Sequence, residues 1–246
     1  MVSAGLIASF VVVILAAAVS GLIGFGLALV AVPLLLIFFE PAEVVVLLSF
    51  ISLFTNIVIV QDSWRQVETR SVLSLMPWAI IGLILGTEIL RSVNPDYIRL
   101  GVGVVVVLSA MLLLRDVTIK GIEGRLGTVF AGATSGALAT STGIAGPPIV
   151  LLFAARRLPK ASFRVSNAAY FLVLGVAIII TLFARGIVEV SEVWTAAILV
   201  PAAFIGKTLG TVLVKYLSDD AFRKITLLVV LLTGVLGVLT AVRALL

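Results

Sequence analysis

Two stretches of this sequence carry no charged side chain, residues 1–39 and 126–155, and each is interrupted by glycine-rich, loop-like chemistry. The first contains SGLIGFG (20–26) and the second SGALATSTGIAGPP (135–148). As single helices the two runs would measure about 58 Å and about 45 Å at 1.5 Å per residue, against a bilayer hydrocarbon core of about 30 Å. Even the shorter would have to tilt by about 50°, past the usual range of about 0–40°. Each run is therefore predicted to be a hairpin of two short helices meeting at a Gly-rich break.

The rest of the chain places these hairpins in a membrane. Hydrophobic residues make up 62% of it and charged residues only 12%, about half the charged share of a soluble domain. Further apolar runs predict spans at 44–60, 73–90, 98–114, 165–184, 191–214 and 222–242. The expected fold class is an all-α polytopic membrane protein. The opening MVSAGLIASF lacks a basic n-region and a clear cleavage site, so it is read as a retained span. Polar connections reach about a dozen residues at most, which leaves no room for a soluble domain or a partner-binding scaffold. A net charge of +5 is read as a topology signal at the lipid surface, with no nucleic acid as partner.

The chain has no Cys and no His. That removes thiolate and imidazole metal sites, His-ligated haem, disulfides and a Ser–His dyad. No metal and no cofactor is expected. A carboxylate-pair enzyme needs two intramembrane acids, and only Glu88 is a candidate, so an enzyme is not expected. Glu88 lies three residues before Arg91 and is read as its snorkelling ion-pair partner.

The two runs also open two similar halves. Residues 20–38 laid over 135–153 without a gap match Ser20 to Ser135, Gly21 to Gly136, Pro33 to Pro148 and Phe38 to Phe153, an offset of 115. Residues 77–99 laid over 201–223 match Pro77 to Pro201, Gly82 to Gly206, Gly86 to Gly210 and Arg99 to Arg223, an offset of 124. Two blocks in the same order indicate a duplication: a first membrane repeat at 1–115, a cytoplasmic linker at 116–125 and a second repeat at 126–246. Each repeat is a broken-helix hairpin plus three transmembrane helices. Five segments is an odd number, so the repeats are expected to be inverted. Loop charges agree. With hairpins, one side collects twelve basic residues (Arg65, Arg70 and Arg156 among them) and the other four, Arg91, Arg99, Arg185 and Arg243. The richer side is the cytoplasm, which leaves both termini outside.

Broken helices in inverted halves form the substrate site of many secondary transporters, because irregular backbone at membrane depth survives only where it is buried or lines a cavity. Candidate substrate-binding residues are Gly24, Phe25 and Gly26 in the first break and Thr140, Ser141, Thr142, Gly143 and Ala145 in the second. Helix N-termini and hydroxyls there suit a small oxyanion. Gly82/Gly86, Gly206/Gly210, Gly132 and Gly136 are read as helix-packing positions, and so are Ser52 and Asn56. Asn167 is either an interhelical hydrogen-bonding residue or a ligand. Lys207 lies about 12 Å from Lys215 along its helix; it either pairs with Glu88 or counters the anion. Trp64, Tyr97, Trp194 and Tyr216 read as interfacial anchors.

Gly21, Gly24, Gly26 and Pro33, with Thr142-Gly143-Ile144-Ala145-Gly146-Pro147-Pro148, resemble the two signatures of the TauE/SafE family of sulfite and organosulfonate exporters. Leu27 and Ala28 follow Gly26, and Ala145 stands where a glycine is common, so the departures leave the substrate open. The resemblance implies a secondary transporter in the bacterial cytoplasmic membrane that exports a small sulfur-containing anion such as sulfite, sulfoacetate or a similar organosulfonate. An anion channel is the alternative. The sequence carries no signal for oligomeric state.

Overall fold

The computed structural model describes residues 4–23, 25–114 and 122–213. They form helices α1 (Ala4–Ile23), α2 (Leu27–Leu35), α3 (Pro41–Ser63), α4 (Thr69–Ser92), α5 (Pro95–Leu114), α6 (Arg125–Thr142), α7 (Gly146–Ala155), α8 (Lys160–Ala184) and α9 (Val190–Leu213). No strand occurs among the described residues. Four of the helices, α3, α4, α8 and α9, are long and apolar enough to cross a membrane. The described residues are helical, and the protein is a polytopic membrane protein. The expected span at 222–242, Tyr216, both chain termini and most of the linker at 116–125 lie outside the described residues.

Local chemistry sets the helix ends. Glu40 caps α3 in a reciprocal box, its amide donating to the Glu43 carboxylate at 2.8 Å, with Pro41 opening the helix. The Glu189 amide does the same with Glu192 at the start of α9, at 2.9 Å. α6 ends at Gly143, whose φ of 77° is left-handed, a conformation glycine adopts without steric cost.

Both charge-free runs break where expected, but into unequal arms. α1 has 20 residues and α6 has 18, whereas the return arms α2 and α7 have 9 and 10. The return arms are about 14 Å and 15 Å long, half the hydrocarbon core. The glycines sit late in each run, so the preceding Ala-, Val- and Leu-rich segment winds into a long helix first. The second hairpin comes back to the face it left. Arg156, just after α7, donates to the Glu123 carbonyl before α6 (3.2 Å) and to Thr128 Oγ1 in the first turn of α6 (2.6 Å).

Two helix pairs pack backbone to backbone, α4 on α6 and α1 on α9. A Cβ added at Gly82 or Gly86 would fall on the carbonyl of Ala133 or Ala137, and one at Gly136 on the carbonyl of Ala79. In the other pair, Gly206 and Gly210 face the carbonyls of Ile14 and Ala18. Residue numbers rise together across each interface, so both pairs are parallel. Small residues permit this approach where lipid gives no hydrophobic drive for association.

The two interfaces share a glycine spacing, at offsets that differ in part from the sequence alignment. Their α4 and α9 glycines, Gly82/Gly206 and Gly86/Gly210, stand 124 apart as aligned. Their α1 and α6 partners, Ile14/Ala133 and Ala18/Ala137, stand 119 apart, not 115. The starts of α2 and α7, and of α3 and α8, are also 119 apart. The register is thus displaced by four residues, about one helical turn. Pro33 and Pro148 misled the ungapped alignment, because Pro33 is seventh in α2 and Pro148 third in α7.

The buried apolar residues divide into two clusters. One gathers α1, α2 and α9 with part of α5; the other gathers α4, α6, α7 and α8. α3 contributes Val44 and Leu47 to the first and Val45 and Val46 to the second. Ion pairs decorate one end of the bundle: Arg99 with Glu40 (3.1 Å) and Asp96 (2.9 Å), and Arg185 with Glu88 (2.7 Å). Glu88 therefore pairs neither with Arg91 nor with Lys207. The end of α8 lies beside the last turns of α4 and supplies the guanidinium instead.

Candidate functional site

Both helix breaks open onto one cavity of about 100 Å³ at the seam between the two apolar clusters. A single water needs about 10–15 Å³ of such space, so the cavity accommodates a molecule of several heavy atoms. The first break contributes Phe25 and Gly26, and the second Gly143, Ile144 and Ala145. Gly26 has a φ of 98° and Gly143 of 77°, so each break turns on a left-handed glycine. A Cβ at Gly26 or Gly146 would meet nothing within 4 Å, whereas one at Gly143 would stand 3.2 Å from Val32 Cγ2.

The backbone donors at the cavity come chiefly from α2. Its first residues, Leu27, Ala28 and Leu29, line the space, and the first amides of a helix have no intrahelical acceptor. α7 offers fewer, because Pro147 and Pro148 carry no N–H; Gly146 is its one lining donor. The sequence reading looked for the donor set in the second break, in the amides near Gly143 and Ala145 and the neighbouring hydroxyls. The double proline, visible in the sequence, is the signal that it belongs to the first.

Lys207 reaches the cavity from α9. Its ammonium donates to the Thr55 carbonyl on α3 at 2.9 Å. An ammonium has three N–H donors, so two remain for other acceptors. No Asp or Glu lines this cavity among the described residues. The Lys207 amine and the starts of two helices, each worth about half a charge, therefore surround a space without a carboxylate among the described residues.

Of the other expected residues, Gly24 lies outside the described residues. Thr140, Ser141 and Thr142 are buried in α6 and stand off the cavity. Thr140 donates to the Leu83 carbonyl (2.9 Å), Ser141 to Ala137 (2.7 Å) and Thr142 to Leu138 (2.8 Å). Their protons are spent on backbone carbonyls, three of the bonds serving the helix itself or its α4 partner. Asn167 also lies off the cavity and donates to the Phe163 carbonyl at 2.9 Å. It is a hydrogen-bonding residue of α8, with its Oδ1 buried and unpartnered among the described residues.

Ser52 and Asn56, read as packing residues, instead line the cavity from α3, with Asn56 Nδ2 donating to Ser52 Oγ at 2.9 Å. Ser49, one turn earlier, lines it as well. Ser49, Ser52 and Asn56 recur at i, i+3 and i+7 in an apolar span, which is a polar stripe on one helix face. That periodicity was the available signal.

The chain matches the family described as sulfite exporter TauE/SafE over residues 9–236. Neither a curated protein nor a solved structure matches it.

Proposed function

Because this chain belongs to the sulfite exporter TauE/SafE family, we propose that it exports a small sulfur-containing oxyanion by alternating access around the cavity between its two helix breaks. The family consists of membrane transporters, not enzymes. Sulfite, sulfoacetate and similar organosulfonates are the substrates proposed. The observation that carries the reading is the arrangement of Lys207 with the starts of α2 and α7 around one carboxylate-free cavity. A buried anion needs compensating charge and hydrogen-bond donors, and this cavity offers both.

In this reading Lys207 is the counter-charge. The amides of Leu27, Ala28, Leu29 and Gly146 donate hydrogen bonds to the oxyanion's oxygens, and Ser52 and Asn56 add polar contacts. Gly26 and Gly143 let the backbone turn towards the ligand. The halves at 1–115 and 126–246, joined by 116–125, are inverted copies with both termini outside the cytoplasmic membrane. The shared packing register supports this, as does the crosswise pairing in which each half's first helix packs on the other half's fourth. An inside-negative potential drives an anion outwards without a coupling ion.

The experiment is transport by the purified full chain in liposomes, across a panel of sulfite, sulfoacetate, thiosulfate and zwitterionic taurine. Saturable counterflow of the anions with weak response to taurine is expected. Ohmic single-channel currents without counterflow would assign a channel instead, and equal transport of taurine would remove the case for an anion cavity.

A further inference from the structure

A second polar cavity lies far from the breaks, where α4 and α6 begin. It has a volume of about 420 Å³ and is lined by Arg70, Arg125 and Arg156, with Ser71, Ser74 and Thr128 beside them. Glu123 is the one carboxylate among the described lining residues, so the local charge is positive. Arg156 is fixed in place. Its Nε donates to the Glu123 carbonyl (3.2 Å), Nη1 to Ser71 Oγ (3.0 Å) and Nη2 to Thr128 Oγ1 (2.6 Å). A guanidinium has five N–H donors, so two remain. Arg70 and Arg125 are exposed and form no ion pair among the described residues.

The apolar surroundings of this cavity differ from those of the central one. Trp78 lines it directly. Leu73, Leu126 and Phe130 lie on the same two helices within a turn or two and are exposed, at 62%, 85% and 73%. Exposed apolar side chains on α4, which is long and apolar enough to cross a membrane, and on α6 packed against it face acyl chains in a bilayer. A basic pocket opening beside lipid-facing side chains has the chemistry of a headgroup site.

We propose that the Arg70–Arg125–Arg156 cavity binds the phosphate headgroup of an anionic phospholipid, with the acyl chains running along Trp78, Leu126 and Phe130. The oxyanion chemistry alone would also admit a free phosphate or sulfonate. The exposed apolar side chains select the lipid, because a soluble anion has no use for them. Arg156 joins α4, α6 and the end of α7, so an occupied headgroup would brace the tightly packed α4–α6 pair and the returning hairpin together.

The test uses the purified full chain in detergent, by native mass spectrometry and thermal unfolding. Phosphatidylglycerol, phosphatidylcholine with the same chains, and soluble glycerol phosphate are each titrated. Phosphatidylglycerol should bind and raise Tm by several degrees, while the other two should not. The double variant Arg70→Gln/Arg125→Gln spares the fixed Arg156 and should lose at least tenfold in lipid affinity. Arg65→Gln, a basic residue stacked over Trp64 (5.5 Å) and outside the cavity, should bind like the native chain. Equal lipid affinity in the double variant overturns the site. Stabilisation of the native chain by glycerol phosphate equal to that by the lipid overturns the lipid as occupant.

Discussion

Replacing Lys207 by Met separates a binding role from a packing role. Met keeps most of the length of the side chain and removes its charge. A hydrogen bond from a charged donor contributes about 1.5–3 kcal/mol, so an anion held by this ammonium should lose about 10- to 150-fold in affinity. Stability should move the other way. A lysine at the centre of a spanning helix costs about 2.5–3.5 kcal/mol to insert, and the 2.9 Å bond to the Thr55 carbonyl returns part of that. The variant should therefore be unchanged or up to about 2 kcal/mol more stable. Isothermal titration with sulfite and sulfoacetate, alongside thermal unfolding of the purified protein, reads both quantities. Native affinity together with a lowered Tm would show that Lys207 ties α9 to α3 and does not serve the anion.

Further outcomes follow from the same geometry. Gly146→Ala adds a methyl group where nothing lies within 4 Å, so the protein should fold normally while the cavity narrows; counterflow of sulfoacetate should fall more than that of sulfite, and an equal effect on both would argue against ligand at this point. Gly206→Ala pushes a Cβ onto the Ile14 carbonyl and should destabilise by about 1–3 kcal/mol or more, seen as lost monodisperse protein in detergent; full recovery would mean the α1–α9 contact is looser than described. Cysteines introduced singly at Gln66 and Arg157 should be labelled from one side of the membrane and those at Asn94 and Ser191 from the other, and any other partition contradicts the inverted arrangement.

The breaks were legible because glycine and proline in a charge-free run leave few alternatives to a hairpin. Family membership was legible for the same residues. The register was not, since Pro33 and Pro148 satisfy an alignment without occupying equivalent turns of α2 and α7. Hydroxyl roles were equally hidden. Ser and Thr in a helix donate by default to the carbonyl one turn back, as Ser141 and Thr142 do, and nothing in the string ATSTG distinguishes that from a ligand contact. The partner of Glu88 could not be read either, because Arg185 is distant in sequence and adjacent only after α8 packs beside α4.

The crosswise pairing of helices also sets a timetable for synthesis. α1 packs on α9, and Ile14 waits for Gly206, so at about 5–20 residues per second the first helix spends about 10–40 s in the bilayer before its partner is made. α4 waits far less, since α6 begins soon after α5. The α4–α6 arm is thus completed first, from parts of both halves, and the α1–α9 arm last. The face of α1 that carries Ile14, Ala18 and Gly21 stays open through that interval, on a helix with no charged side chain. Lys207, arriving with α9, brings the cavity's cation only when Thr55 is already in place to receive it.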